Sequence, residues 1–129
     1  MELIGHGIDL VDCRKIESIL DRHEERFLAR VFTADELAYS QKHRSRVERL
    51  AGRMAVKEAV MKLLGTGWRG GIAWTDIETR NNEAGKPVVS LHGKVAELAE
   101  EMGIEKISVS ITHTADLAIA SAIGLGKQP

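Results

Sequence analysis

The chain has 129 residues, 43% of them apolar and 29% charged, the composition of an ordinary water-soluble globular protein. That length predicts a single domain over 1–129, able to bury roughly two thirds of its unfolded surface without covalent staples. The 18 Lys+Arg and 19 Asp+Glu nearly cancel to a net charge of −1, and the single cysteine, Cys13, excludes an intrachain disulfide and a zinc site built on several thiolates.

Leu3–Val11 predicts a first strand, in which Gly5 and Gly7 mark a close backbone approach or a bend. Asp12 is placed to cap a helix over about 13–30, with Ile16, Ile19, Leu20, His23 and Phe27 on one face. Thr33-Ala-Asp-Glu36 has capping-box spacing and starts a second, shorter helix. A third helix, about 45–64, carries Val47, Leu50, Ala51, Met54 and Met61 on one stripe and stops at Gly65. Ile72–Arg80 and Pro87–Leu91 read as strands joined by the polar turn Asn81-Asn82-Glu83-Ala84-Gly85. Val95, Leu98, Ala99 and Met102 give a further amphipathic helix ended by Gly103. Lys106–Thr112 alternates strictly, with Ile107, Val109 and Ile111 on one face and Ser108, Ser110 and Thr112 on the other. Leu117–Ile123 returns as its hairpin partner. The longest uncharged run, Leu117–Gly126, is about half the roughly 20 residues of a membrane span, and no secretory pattern opens the chain. With no repeat or low-complexity tract, the pattern predicts an α+β fold, a mostly antiparallel sheet packed against helices, in the cytoplasm.

Charge is distributed less evenly than its sum. Residues 14–62 hold 12 of the 18 basic residues and 8 acidic ones, a local net of +4. Such a bias reads either as solvated helix faces or as a docking surface for an anionic partner. Nucleic acid is disfavoured as that partner, because only 4% of residues are aromatic and single-strand recognition relies on stacking.

Three runs could carry chemistry. Gly5-His6-Gly7-Ile8-Asp9 lacks the third glycine and the following helix of a dinucleotide fingerprint, leaving Asp9 as a turn residue or a ligand. In the third helix, Glu58 and Lys62 are spaced for a surface ion pair. By angle, however, Glu58 falls between Met54 and Met61 on the apolar side, where a carboxylate requires a cation or a metal. Arg53, Lys57 and Lys62 flank that face, and Gly65-Thr66-Gly67 follows it with backbone N–H groups open to phosphate. A helix C-terminus repels anions, so lysines and a metal would have to supply the attraction. The third run is Ser108-Val109-Ser110-Ile111-Thr112-His113-Thr114, three hydroxyls on one strand face and a histidine at its end. His6, His23, His43 and His92 show no metal-ligand spacing.

Together these runs resemble the acyl-carrier-protein synthase group of phosphopantetheinyl transferases over nearly the whole chain. The family's Gly-x-Gly-x-Asp strand matches Gly5–Asp9. Its helix Arg-x-Ala-x-Lys-Glu-Ala-x-x-Lys with a following Gly-Thr-Gly matches Arg53–Gly67, its Gly-Lys-Pro turn Gly85–Pro87, and its closing strand Ser108–Thr114. His6 departs from the usual aliphatic residue, and Cys13-Arg14-Lys15 is a variable stretch. The resemblance implies the phosphopantetheinyl transferase fold. It also implies transfer of the 4′-phosphopantetheine arm from coenzyme A to a serine of apo acyl carrier protein, for fatty acid biosynthesis. By position it implies Asp9 and Glu58 as Mg²⁺ ligands, with Lys62 beside the diphosphate as a third catalytic residue. Arg53, Lys57, Lys62, Gly65, Thr66, Thr112 and His113 would line the coenzyme A site. Arg14, Lys15, Arg22, Arg26 and Arg30 on the first helix, with Phe27 as an apolar anchor, would dock the acidic carrier protein. A homotrimer with active sites between subunits is implied as well. Two other classes remain open from the residues themselves: a non-catalytic module binding acidic partners through 14–62, and a metal-dependent nucleotide hydrolase.

Overall fold

The computed structural model describes residues 1–42, 45–68 and 70–129, with His43 outside them. Strand β1 (Glu2–Asp12) ends on the residue that caps helix α1 (Cys13–Val31), where the Asp12 carboxylate accepts the Arg14 N–H at 2.9 Å. The predicted helical stripe is interrupted. His23 has φ −143° and ψ 38°, and this kink leaves its side chain exposed while Ile16 is buried and Ile19, Leu20 and Phe27 are half-buried. Helix α2 (Ala34–Gln41) opens with the expected reciprocal box: Glu36 N–H donates to Thr33 Oγ1 at 3.3 Å and Thr33 N–H to Glu36 Oε1 at 3.0 Å. Helix α3 (Arg46–Leu64) stops at Gly65, whose φ of 74° is left-handed and whose N–H closes on Met61 O at 2.9 Å.

The segment from Ile72 is mostly not a strand. Only β2 (Ile77–Asn81) is extended, and Trp74–Asp76 forms a single 3-10 turn before it. The Asp76 carboxylate accepts the Ala73 N–H at 3.2 Å, and this local bond takes the backbone that a longer ladder would need. Strand β3 (Pro87–Leu91) pairs antiparallel with β2, and helix α4 (Gly93–Glu101) leads to β4 (Ile104–His113) and β5 (Leu117–Gly126).

The main sheet is antiparallel in the order β1-β5-β4, so the fold is α+β with every strand pair antiparallel. Its cross-strand rows define two faces. Gly7–Ala122–Val109 and Asp9–Ala120–Ile111 turn toward α3, whereas His6–Ile123–Ser108, Ile8–Ser121–Ser110 and Leu10–Ile119–Thr112 turn away. Helix α3 joins two apolar cores. Its Ala55, Val56, Ala59 and Val60 pack with Ile77, Val95, Ala120 and Ala122, and its Leu50 and Ala51 pack with Ile16, Val31, Phe32 and Ala118. Small residues on both helix and sheet permit this close contact, which fixes α3 against β1. Among the described residues no helix is long and apolar enough to cross a membrane.

Candidate active site

The tightest helix–strand contact positions the carboxylates. A Cβ placed on Gly7 would lie 2.0 Å from Ala59 O, and one on Gly5 would lie 3.1 Å from Leu63 O. At Gly7, strand backbone rests on helix backbone, and only the absence of a side chain allows it. Two residues on, Asp9 faces the next stretch of the same helix. Its Oδ1 accepts from Lys62 Nζ at 2.9 Å, and Lys62 also donates to Ile8 O at 3.2 Å. Glu58, one turn earlier on α3, shares with Asp9 a groove that Lys15, Ile16, Ile19 and Met54 also line. On its other side Glu58 opens onto a concavity formed with Lys62, Gly65, Gly67 and Trp68.

Burial pushes the Glu58 carboxyl above its ordinary value of 4.5, and the negative Asp9 adds to that rise. The Trp68 indole, donating Nε1–H to Glu58 Oε2 at 3.3 Å, and the Lys62 ammonium pull the other way. Asp9 in turn holds the Lys62 ammonium above the usual lysine range, so Lys62 stays charged. Two carboxylates in one groove, one of them held against its ionisation, form a donor set suited to Mg²⁺, which takes one or two carboxylates and completes its shell with water and phosphate oxygens. Among the described residues no cluster of three or more metal-ligating side chains occurs.

A second, cationic concavity lies at the other end of α3. His113 Nε2 is 3.2 Å from Arg49 Nη1, and its Nδ1 is 3.7 Å from Glu48 Oε2. Arg53, 3% exposed, stacks over the Tyr39 ring at 3.9 Å and donates to Asn81 Oδ1. Tyr39, Arg49, Arg53, Asn81 and His113 line this pocket, whose guanidinium donors suit a phosphate.

Several expected residues lie elsewhere. Lys57 does not flank the carboxylate groove. Its side chain is fully buried, with Nζ 2.8 Å from Glu36 Oε1 and donating to Trp74 O and Ile77 O. One residue along a helix turns the side chain by about 100°, which carries Lys57 from the groove to the α2–β2 side. Burial lowers its pKa, and the Glu36 carboxylate opposes that loss of charge. Thr112 is on the sheet face opposite His113, because neighbours on a strand alternate. Gly65 and Gly67, with φ of 74° and 68°, hold the loop after α3 open, and Thr66 Oγ1 turns to Gly67 O at 3.4 Å. Arg14, Lys15, Arg22, Arg26 and Arg30 are exposed, and Arg14 also pairs with Asp12 at 3.1 Å. Phe27 is not a free anchor: its ring meets Phe32 edge-on at 5.7 Å, against the core.

Sequence reasoning missed Tyr39, Arg49 and Asn81 around His113, and Trp68 beside Glu58. Arg49 had a readable signal, since it stands four residues before Arg53 and so on the same helical face. Nothing local marked Trp68.

Residues 5–122 match the sequence profile of the 4′-phosphopantetheinyl transferase superfamily. A relative from Solibacter usitatus named holo-[acyl-carrier-protein] synthase is 43% identical over 121 residues, covering 94% of this chain and 97% of that one. The crystal structure of the Neisseria meningitidis holo-[acyl-carrier-protein] synthase superposes with a TM-score of 0.87 at 29% identity, over 96% of this chain and 99% of that one. The Helicobacter pylori holo-[acyl-carrier-protein] synthase in complex with coenzyme A gives 0.82 at 28% identity, over 93% and 99%. The glycine-seated Asp9, the Glu58–Lys62 turn and the whole-length likeness in sequence and shape thus converge: the chain belongs to the 4′-phosphopantetheinyl transferase superfamily.

Proposed function

We propose that the chain transfers the 4′-phosphopantetheine arm of coenzyme A to a serine of apo acyl carrier protein, releasing adenosine 3′,5′-bisphosphate. The observation that carries this reading is the likeness, over nearly the whole chain, to proteins named for that activity. The serine Oγ forms a bond to the phosphorus bearing pantetheine, and the bond from that phosphorus to the bridging diphosphate oxygen breaks. The bisphosphate leaves with the electron pair, and the serine proton passes to a base. Bound between Asp9 and Glu58, Mg²⁺ would neutralise diphosphate charge and polarise the reacting phosphorus. Lys62, its ammonium paired with Asp9 Oδ1 at 2.9 Å, places a positive charge beside the developing diphosphate. Arg49 and Arg53 present guanidinium donors for a remote phosphate of coenzyme A in the pocket that His113 also lines, which fixes the long substrate relative to the carboxylates.

The groove that ends at Glu58 is walled by Lys15, Ile16 and Ile19 of α1. An acidic carrier protein held by Arg14, Lys15, Arg22, Arg26 and Arg30 would therefore present its serine to the reacting phosphorus. The outward sheet face leaves Leu3, Ile8 and Leu10 58%, 59% and 54% exposed, with Ile123 beside them at 40%. Apolar area of that kind supports assembly into a homotrimer through this face. Dependence on coenzyme A and one buried, unpaired Cys13 support a cytoplasmic setting.

Release of adenosine 3′,5′-bisphosphate from coenzyme A, followed chromatographically with and without apo acyl carrier protein, tests the reading. Release that requires both the acceptor and Mg²⁺ is expected. Release without any acceptor would instead identify a nucleotide hydrolase, and no release with a folded protein would leave a binding module.

A further inference from the structure

Only two tryptophans occur in the chain, and they meet. Trp68, just past the Gly65–Gly67 loop, stacks on Trp74 with ring centroids 3.8 Å apart and planes 26° from parallel. The backbone of the partner residue is fixed, because Trp74 belongs to the 3-10 turn and its carbonyl accepts Lys57 Nζ at 3.1 Å. So seated, the Trp68 indole is half-buried with its edge toward α3, and its N–H reaches Glu58 Oε2 at 3.3 Å. Indole is a donor only, so it takes up one lone pair of the carboxylate and leaves the negative charge for a cation. The bond uses Oε2, which leaves Oε1 for a ligand in the groove shared with Asp9.

We propose that Trp68 is a positioning residue for Glu58: its Nε1–H fixes the carboxylate's rotation, and the stack on Trp74 fixes the indole. This rests on Glu58 as a Mg²⁺ ligand. Partners that orient a ligating carboxylate from behind commonly govern metal affinity by roughly 10–100-fold. The arrangement also makes the indole a reporter, since any change at the Glu58 carboxylate is felt at Trp68 Nε1–H.

The experiment is a Mg²⁺ titration of the full-length chain with saturating coenzyme A, read by the indole N–H resonances in ¹⁵N–¹H spectra and by the rise in Tm. Trp68→Phe keeps a flat ring and removes the N–H; Trp74→Phe keeps the Trp68 N–H and weakens the stack. In the wild type, the Trp68 resonance is expected to move with Mg²⁺ and that of Trp74 to move less. Trp68→Phe should raise the half-saturating Mg²⁺ concentration roughly tenfold in a protein that still unfolds cooperatively without metal. Trp74→Phe should raise it less. A Mg²⁺ response in the wild type that is identical in Trp68→Phe would overturn the positioning role alone. No Mg²⁺ response in any protein would overturn the metal assignment of Glu58, and the role of Trp68 with it.

Discussion

Replacing Gly7 by alanine is the sharpest perturbation of the β1–α3 contact. The new Cβ would sit 2.0 Å from Ala59 O and 2.8 Å from Leu63 N, both backbone atoms that cannot swing aside. To reach even 3.0 Å from the carbonyl, strand and helix must separate by about 1 Å. Overpacking of this kind costs about 1–3 kcal/mol, against a gain of about 0.4–1 kcal/mol from a stiffer unfolded chain. The difference is a net loss between about 0 and about 2.6 kcal/mol, centred on roughly 1.3 kcal/mol. The same shift carries Asp9 away from Lys62 and the Glu58 groove, and about 1 Å of misplacement at reacting groups costs on the order of 100-fold in rate. Gly5→Ala is the milder comparison, because its Cβ meets Leu63 O at 3.1 Å and asks the helix to give by only a few tenths of an ångström. Urea unfolding and steady-state transfer rates on both variants decide the matter. Gly7→Ala is expected to lose stability and most activity, and Gly5→Ala little of either. Equal behaviour of the two, or full activity in Gly7→Ala, would refute the idea that a backbone contact seats Asp9.

Four other outcomes are expected. Glu36→Gln strands the buried Lys57 ammonium and should cost about 3–5 kcal/mol in urea unfolding, while adding Lys57→Met should recover part of it; strictly additive losses would contradict a coupled pair. Glu58 binds its proton more tightly folded than unfolded, so its contribution to stability is complete below pH 4.5 and is lost as pH rises through the raised folded value. Without Mg²⁺, the Tm of Glu58→Gln relative to wild type should therefore climb from acid to neutral pH, and a flat difference would contradict the raised carboxyl. Arg26→Glu should raise the KM for carrier protein more than that for coenzyme A, and equal effects would argue against docking on α1. Ile123→Glu should reduce a particle of three times the 14.2 kDa chain mass to one chain in light scattering; an unchanged mass would move the interface elsewhere.

How much was legible in the sequence follows from the range of the forces involved. The Thr33–Glu36 box, the Gly65 stop and the alternation of β4 are local, and each formed where its residues indicated. Gly5 and Gly7 announced a close approach, but only the fold identified Ala59 and Leu63 as what they approach. The kink at His23 and the 3-10 turn at Trp74 interrupt runs whose periodicity alone reads as continuous. Helical angle placed Glu58 at the groove correctly, yet Lys57, one residue away, became the buried partner of Glu36 on α2. That pairing joins residues 21 positions apart and no local pattern encodes it. The Trp68–Glu58 bond and the Arg49–His113 contact are tertiary for the same reason.

Intact-mass analysis of apo acyl carrier protein after incubation with this chain, coenzyme A and Mg²⁺ tests the proposed transfer most directly. Samples with EDTA, and with the acceptor serine replaced by alanine, belong in the same run. A metal- and serine-dependent gain of one phosphopantetheine arm is predicted. An unchanged acceptor mass, with the protein folded and several carrier proteins tried, would contradict it.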